Sequence, residues 1–383
     1  MSNKLLIIAF SPIARDPRVL RQARLAEEAG YDLAIIGYGK QGDPVPGRFF
    51  PLAAPQPGLP NRLTVAARQL PAWVSRKAPL FLFWTSPSAR LALDAAREFA
   101  PDLVHANDWS ALPIAGSLKA PFIYDSHEFA TGEQEERALW RLVFGPYVAA
   151  IEGTFIHRAS RVVTVSQGIA ERMQSLYHLA DTPIVIRNVP AYVDVRPRKV
   201  GTPVKVLYQG AYNPDRGLEE LIDSVAMWRP GYSLTLRGIG NEQYVAALKA
   251  RASLSPAADR IKFVEPVTPA ELITAANEFD VGVHPIPPRT TQTNYCLPNK
   301  FFEYTMAGLC LCVSPAREMA MLVEQHRLGA VMQSTEPAAI AKAINSLSID
   351  AIQAAKSASH EAARTYNWSN ESERLLAIYR ECR

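Results

Sequence analysis

The sequence is short of cysteine, of histidine and of long apolar runs. Its 383 residues include 4 Cys and 7 His. Cys296, Cys310, Cys312 and Cys382 crowd the C-terminal half without zinc-type spacing, which argues against both a zinc module and a disulfide-built scaffold. No signal segment precedes the first apolar run, so a cytoplasmic setting is expected. Acidic residues are missing altogether between Asp43 and Asp94, where Arg48, Arg62, Arg68, Arg76, Lys77 and Arg90 all fall. The longest apolar run in that interval, Ala78 to Trp84, is far shorter than the ~20 residues needed to cross a bilayer. The net charge is only +4, and no basic, aromatic-studded strand motif accompanies it, so a nucleic-acid partner is not expected.

What is present is a chain of ordinary globular composition, 48% hydrophobic and 20% charged, long enough for about two domains at ~150 residues each. Two successive series of strand and helix patterns run along it. The first opens with Lys4-Leu-Leu-Ile-Ile-Ala-Phe10, a continuous apolar run of the kind buried on both faces of a parallel sheet, and a helix from Pro17 to Ala29 follows. Further strands are predicted at Asp32–Tyr38, Asp102–His105, Phe122–Tyr124, Val162–Val165 and Ile184–Ile186, with one or two helices between Glu133 and Arg158. Residues 43 to 62 are rich in Pro and Gly and read as irregular. After a linker at Asn188–Pro203 the second series begins with Lys205–Gly210. It continues through Tyr232–Arg237, Ile261–Val264, a helix at Pro269–Glu278, Asp280–His284 and Cys310–Val313. The expected organisation is 1–190 as one doubly wound domain, 191–365 as the second, facing the first across a cleft, and 366–383 as a final helix returning to the first.

Open sheets of this kind bind ligands at the C-terminal ends of their strands, so the polar residues there are the site candidates. In the first series these are Arg15, Asp16 and Arg18, then Asn107 and Asp108, then His127 beside Glu128. A plainer reading makes Asp16 a helix cap and leaves Arg18 solvated. In the second series Arg216 sits in the loop Ala211–Gly217 before a helix start, and Gly238-Ile239-Gly240 makes a tight turn that lacks the third glycine of a dinucleotide fingerprint. The organising stretch is Leu297-Pro298-Asn299-Lys300-Phe301-Phe302-Glu303-Tyr304-Thr305-Met306-Ala307-Gly308. A polar loop, Pro287 to Tyr295, runs into a proline and then into an amphipathic helix closed by glycine. Free N–H groups at such a helix start, with Lys300 beside them, suit phosphate oxygens, and Glu303 one turn on can accept hydrogen bonds from vicinal hydroxyls. A diphosphate and a ribose together make a nucleotide.

This stretch resembles the donor-binding segment of retaining nucleotide-sugar glycosyltransferases of the two-domain GT-B fold, of the glycosyltransferase family 4 type, in a branch that reads "PNK-FEY-AG". Glu303 falls on the second Glu of the family's Glu-x7-Glu motif, while the first is replaced by Tyr295. Asp125-Ser126-His127-Glu128 is similar to the family's "YD-HE" motif, which marks His127 as functional. The loop at Arg216 resembles the one that binds the donor diphosphate, with Ala211 where many members carry a further Arg. The resemblance implies His127, Arg216 and Lys300 as catalytic residues. It implies a donor site made of Gly210, Arg216, Gly238, Glu265, Val267, Tyr295, Pro298, Asn299, Lys300 and Glu303. Arg15, Asp16, Arg18, Asn107 and Asp108 would then lie on the acceptor side. No Asp-x-Asp pair occurs anywhere, so a metal-independent reaction with no cofactor is expected, using a UDP- or GDP-linked sugar and a saccharide or lipid-linked acceptor. A non-catalytic sugar-nucleotide-binding protein and a nucleotide-sugar epimerase are the competing readings. Residues 61–85 join cations to Trp73, Phe81, Phe83 and Trp84, as suits a peripheral contact with an anionic membrane face; core packing of the aromatics is the alternative.

Overall fold

The computed structural model describes residues 3–54 and 78–382, and most of the interval 61–85 therefore lies outside the described residues. The chain divides into two compact units. One comprises Met1–Ile186, Thr290–Gln292 and Ser372–Arg383, and the other Arg187–Arg289 and Thr293–Glu371. The division thus falls after Ile186, four residues before the sequence-based boundary.

The first unit is built on a seven-stranded sheet of order β3-β2-β1-β4-β5-β6-β7. Its strands are β1 (Lys4–Pro12), β2 (Asp32–Tyr38), β3 (Arg48–Leu52), β4 (Leu103–Asn107), β5 (Phe122–Ser126), β6 (Arg161–Thr164) and β7 (Ile184–Val185), all paired in parallel. Leu5 to Ile8 are wholly buried because helices cover both faces. The helix Pro17–Glu28 starts where Asp16 accepts hydrogen bonds from the N–H groups of Arg18 and Val19, with Pro at its first position. It stops at Gly30, whose φ of +79° few other residues adopt. One local expectation, the irregular reading of residues 43 to 62, is corrected here. Strand β3 arises within the Pro- and Gly-rich stretch, where Pro51 is tolerated because the strand lies at the sheet edge. The apolar run after residue 77 is a short helix, Ala78–Phe83, with Phe83 buried against Trp84 and Phe81 72% exposed. The Glu133–Arg158 stretch is a π-helical turn at Trp140–Phe144 leading into the helix Gly145–Phe155.

The second unit repeats the plan with six strands in the order β10-β9-β8-β11-β12-β13. These are β8 (Val204–Gln209), β9 (Tyr232–Arg237), β10 (Ile261–Val264), β11 (Val281–His284), β12 (Cys310–Val313) and β13 (Gly329–Val331), again parallel throughout. Alternation along the strands sends Val206, Tyr208, Cys310 and Cys312 into one core and Leu207, Leu311 and Val313 into another, on the two sides of the sheet. The latter core also takes Phe301 and Phe302 of the helix Asn299–Met306. The expected helix at Pro269–Glu278 shortens to Leu272–Ala276, and the loop before the organising stretch contains a helical turn, Thr291–Tyr295. Lys356 is wholly buried on the helix Ile349–Ala363, where its Nζ donates to Phe279 O at 2.9 Å and Asp280 Oδ1 at 3.1 Å.

A buried carboxylate holds the first unit together. Asp125 near the end of β5 accepts from Arg18 Nε (3.0 Å) and Nη2 (2.7 and 2.8 Å) and from Gln22 Nε2 (2.7 Å). His105 Nε2 stands 3.2 Å away, and Tyr379 of the helix Trp368–Glu381 meets the other nitrogen of that ring at 2.8 Å. Burial alone would raise the Asp125 pKa; the Arg18 guanidinium and the His105 hydrogen bond reverse this and hold it far below the usual carboxylate range. A depressed folded-state pKa means that the ionised group stabilises the fold above its unfolded pKa, and that this stability drains away as pH falls below the ordinary carboxylate range. Replacing Arg18 by Met leaves the charge uncompensated and is expected to cost about 3–5 kcal/mol in urea unfolding at pH 7, with a smaller deficit at pH 3. A loss that does not shrink on acidification would contradict the assignment.

Candidate active site

In a doubly wound sheet the crevice for a ligand opens where the strand order reverses, which is between β8 and β11 in the second unit and between β1 and β4 in the first. The residues gathered at the two switch points carry opposite charges.

In the second unit β8 ends at Gln209, and Gly210 follows with φ of +139°. A Cβ on Gly210 would stand 1.7 Å from Lys300 Cε, so the absent side chain is what lets Lys300 lie across the strand end. Lys300 belongs to the first turn of the helix Asn299–Met306, whose N-cap Pro298 offers no side-chain cap. Burial lowers the Lys300 pKa, the nearby Glu303 carboxylate opposes this, and Arg216 adds to it. Arg216, half-buried, ends a loop seated on β11: the next residue, Gly217, has φ of +71°, and a Cβ there would come within 2.4 Å of Pro285 O. His284, the last residue of β11, is 1% exposed and neither ring nitrogen has a hydrogen-bond partner.

Glu303 is held from below. Gln209 Nε2 donates to Glu303 Oε2 at 3.3 Å, Gln209 Oε1 accepts from Arg237 Nη1 at 3.0 Å, and the Gln209 N–H donates to Tyr304 Oη at 2.7 Å. Strand end and helix are thereby locked in register. Tyr295, where the motif's first Glu would stand, is buried beneath the Arg317 guanidinium, 5.6 Å from its ring centroid. Gly238 follows β9 beside Gly210, and a Cβ on it would lie 1.8 Å from Gly210 O. Its place is a close approach of backbone to backbone. Pro298 and Asn299 are half-buried at the helix start, Val267 is half-buried after β10, and Glu265 is exposed there at the sheet edge.

In the first unit Asn107 ends β4 and Asp108 follows with φ of +62°, while His127 follows β5. His127 Nε2 lies 2.7 Å from Asn107 Oδ1, its Nδ1 lies 3.4 Å from Asp108 Oδ2, and its backbone N–H donates to Asp108 Oδ1 at 3.0 Å. The imidazole is therefore oriented from both sides. The other end of the Asn107 amide, Nδ2, is buried without a partner. Although the Asp108 side chain is 43% exposed at its edge, crowding around the carboxyl strips its solvent and raises its pKa, against the pull of His127. Glu133 is raised well above the usual range by burial, and next by the Glu128 carboxyl that hydrogen-bonds to it. Arg15 is exposed. Asp16 caps the following helix and accepts from Ser11 Oγ at 2.6 Å, so its carboxylate is already engaged. Arg18, expected on the acceptor side, is instead inside the wall: its side chain is 3% exposed, with Nε and Nη2 on Asp125 and Nη1 on Ile186 O at 3.0 Å.

Sequence reasoning passed over His284, Gln209, Arg237 and Glu133. For His284 a signal was available, since a lone histidine closes an otherwise apolar strand.

Comparison with known proteins adds a second line of argument. A model described as Glycosyltransferase Family 4 matches residues 18–189, and one described as Glycosyl transferases group 1 matches residues 203–350. A glycogen synthase of Mycobacterium tuberculosis is 25% identical over 206 residues, 50% of this chain and 48% of that protein. The chain thus spans about half the length of the curated relatives it matches. Among solved structures, the sucrose-phosphate synthase of Thermosynechococcus elongatus superposes with a TM-score of 0.76 at 15% identity, covering 99% of this chain and 98% of that one. Anabaena HepE, solved in complex with UDP-glucose, gives 0.71 at 17% identity over 98% of this chain and 99% of its own. At these identities the likeness shows the fold, which is GT-B.

The contact between the two glycine loops is testable in the protein by itself. Gly238→Ala should lower stability by about 1–3 kcal/mol, the scale of forced overpacking, because the methyl meets a carbonyl oxygen rather than a flexible side chain. Thermal unfolding at the wild-type midpoint would contradict this.

Proposed function

For a chain that belongs to the family 4 type of GT-B glycosyltransferases, we propose transfer of a sugar from a nucleotide-sugar donor, UDP- or GDP-linked, to a saccharide or lipid-linked saccharide acceptor, without a metal ion and with retention of anomeric configuration. The observation that carries this reading is the meeting of Lys300, Arg216 and a helix start at the switch point of the second sheet, with Glu303 one turn away. In such a reaction the bond from the anomeric carbon to the diphosphate oxygen breaks, the bond to the acceptor oxygen forms, and negative charge gathers on the leaving diphosphate. Two cations and the N–H groups of a helix start answer that charge, which is the role a metal would otherwise take. Glu303, steadied by Gln209, accepts hydrogen bonds from the ribose hydroxyls. HepE, with the same fold, binds UDP and UDP-glucose, which favours UDP as the first donor to try.

The first unit then receives the acceptor at Asn107, Asp108 and His127. Both His127 nitrogens face oxygen atoms of neighbouring side chains, so the ring serves to position a substrate hydroxyl rather than to act as a free base. We also propose that residues 61–85 bring this unit to an anionic membrane face. Of the described aromatics in that interval Phe83 is buried and Trp84 half-buried, so the contact rests mainly on Phe81 and on the cations.

The test of the reaction is a turnover assay with a panel of UDP- and GDP-sugars, with and without saccharide acceptors. Arg216→Ala should reduce kcat on the order of 10²–10³, the cost of losing a preorganised donor at the leaving group. Near-normal turnover would remove Arg216 from the mechanism. Activity should survive exhaustive EDTA treatment; activity that is abolished and then restored by Mg²⁺ or Mn²⁺ would overturn the metal-free scheme. On anionic liposomes at low salt the protein should co-sediment and should release as salt rises, since each basic side chain near the surface contributes about 1 kcal/mol. Phe81→Ser should weaken this binding. No binding even at low salt would leave a soluble acceptor as the better reading.

A further inference from the structure

His284 does not behave as a core histidine. Buried polar side chains are hydrogen-bonded in the great majority of cases, and His105 on β4 obeys the rule, with Tyr379 on one nitrogen and Asp125 on the other. His284 is as deeply buried, yet both of its nitrogens lack partners. Its position supplies the reason. It is the terminal residue of β11, one of the two strands that flank the switch point of the second sheet. Through its register with Val313 it points to the same side of the sheet as the core that receives the helix Asn299–Met306. Pro285, next in the chain, carries the Gly217 turn that presents Arg216. The charged groups that act on the ring are the cations of that loop and that helix, Arg216 and Lys300.

We infer that His284 is a third ligand for the donor's diphosphate in this half-site, donating one ring N–H to an oxygen of the leaving group. The inference rests on the nucleotide-sugar reading above. An imidazole buried without a partner, in the field of two cations, finds no acceptor for its hydrogen until an anion arrives. Burial first, then Lys300 and Arg216, hold its pKa well below the usual histidine value, so at neutral pH the ring is uncharged and keeps a single N–H. It therefore adds a hydrogen bond at the phosphate without adding a third positive charge to be desolvated, and it has no acidic proton to give up. Its contribution should be flat across the neutral pH range.

The experiment is calorimetric titration of the full chain with UDP and UMP, and with GDP and GMP. Wild type should bind a diphosphate more tightly than its monophosphate. His284→Leu should lose roughly tenfold to hundredfold in diphosphate affinity, the worth of one hydrogen bond to a charged oxygen, with monophosphate affinity unchanged within about twofold. His284→Asn, which keeps a donor, should recover part of the loss. A His284→Leu variant that binds the diphosphate as wild type does, or that weakens both nucleotides equally, overturns the assignment. Should the apolar variant fail to fold, histidine-ring ¹⁵N spectra of the wild type decide. The His284 resonances should report a neutral ring and move on adding the diphosphate but not the monophosphate, and immobility overturns the proposal. A wild-type chain that binds none of the four nucleotides would sink the nucleotide-sugar reading itself, and this inference with it.

Discussion

One buried negative charge organises the first unit. A carboxylate with no exposure is tolerable only when donors surround it, and Asp125 gathers Arg18 and Gln22 from the first helix, His105 from β4 and, through His105, Tyr379 from the last helix. Those partners come from distant parts of the chain, so satisfying one charge fixes where several elements stand. Ser126 and His127 follow directly, and the placement of the imidazole at the sheet edge inherits the rigidity of that network.

The second unit uses the opposite device. Its cations are brought together by side chains that are missing: Gly210 yields the space that Lys300 fills, Gly217 lets the Arg216 loop sit on Pro285, and Gly238 lets one strand end rest on another. Burial first, and then the like charge of Arg216, lower the pKa of Lys300 against the pull of Glu303. The first unit thus gathers carboxylates around His127, and the second gathers cations around Gly210.

The fold was legible in the sequence because parallel strands buried on both faces leave continuous apolar runs, as at Lys4–Phe10 and Cys310–Val313. The organising stretch was legible for a local reason: Pro298 starts a helix and Gly308, at φ of +66°, ends it. What escaped depends on distant partners. Arg18 reads as a polar residue near a strand end, and only Asp125, 107 positions away, turns it inward. Strand β3 escaped because composition reports irregularity while edge pairing with β2 tolerates a proline. His284 escaped although a lone histidine closes an otherwise apolar strand, because nothing local says that its ring has been left without partners.

The assignment of Ser372–Arg383 to the first unit has a consequence for how the molecule is made. His105 and Tyr379 are 274 residues apart in the chain, so at a synthesis rate of about 5–20 residues per second the ring waits on the order of tens of seconds for its partner. Through that interval the Asp125 cluster has every donor except the one that seats His105. The second unit, contiguous from Arg187 to Glu371 apart from three residues, meets no such delay. Vectorial synthesis therefore favours completing the second unit before the unit that precedes it in the sequence.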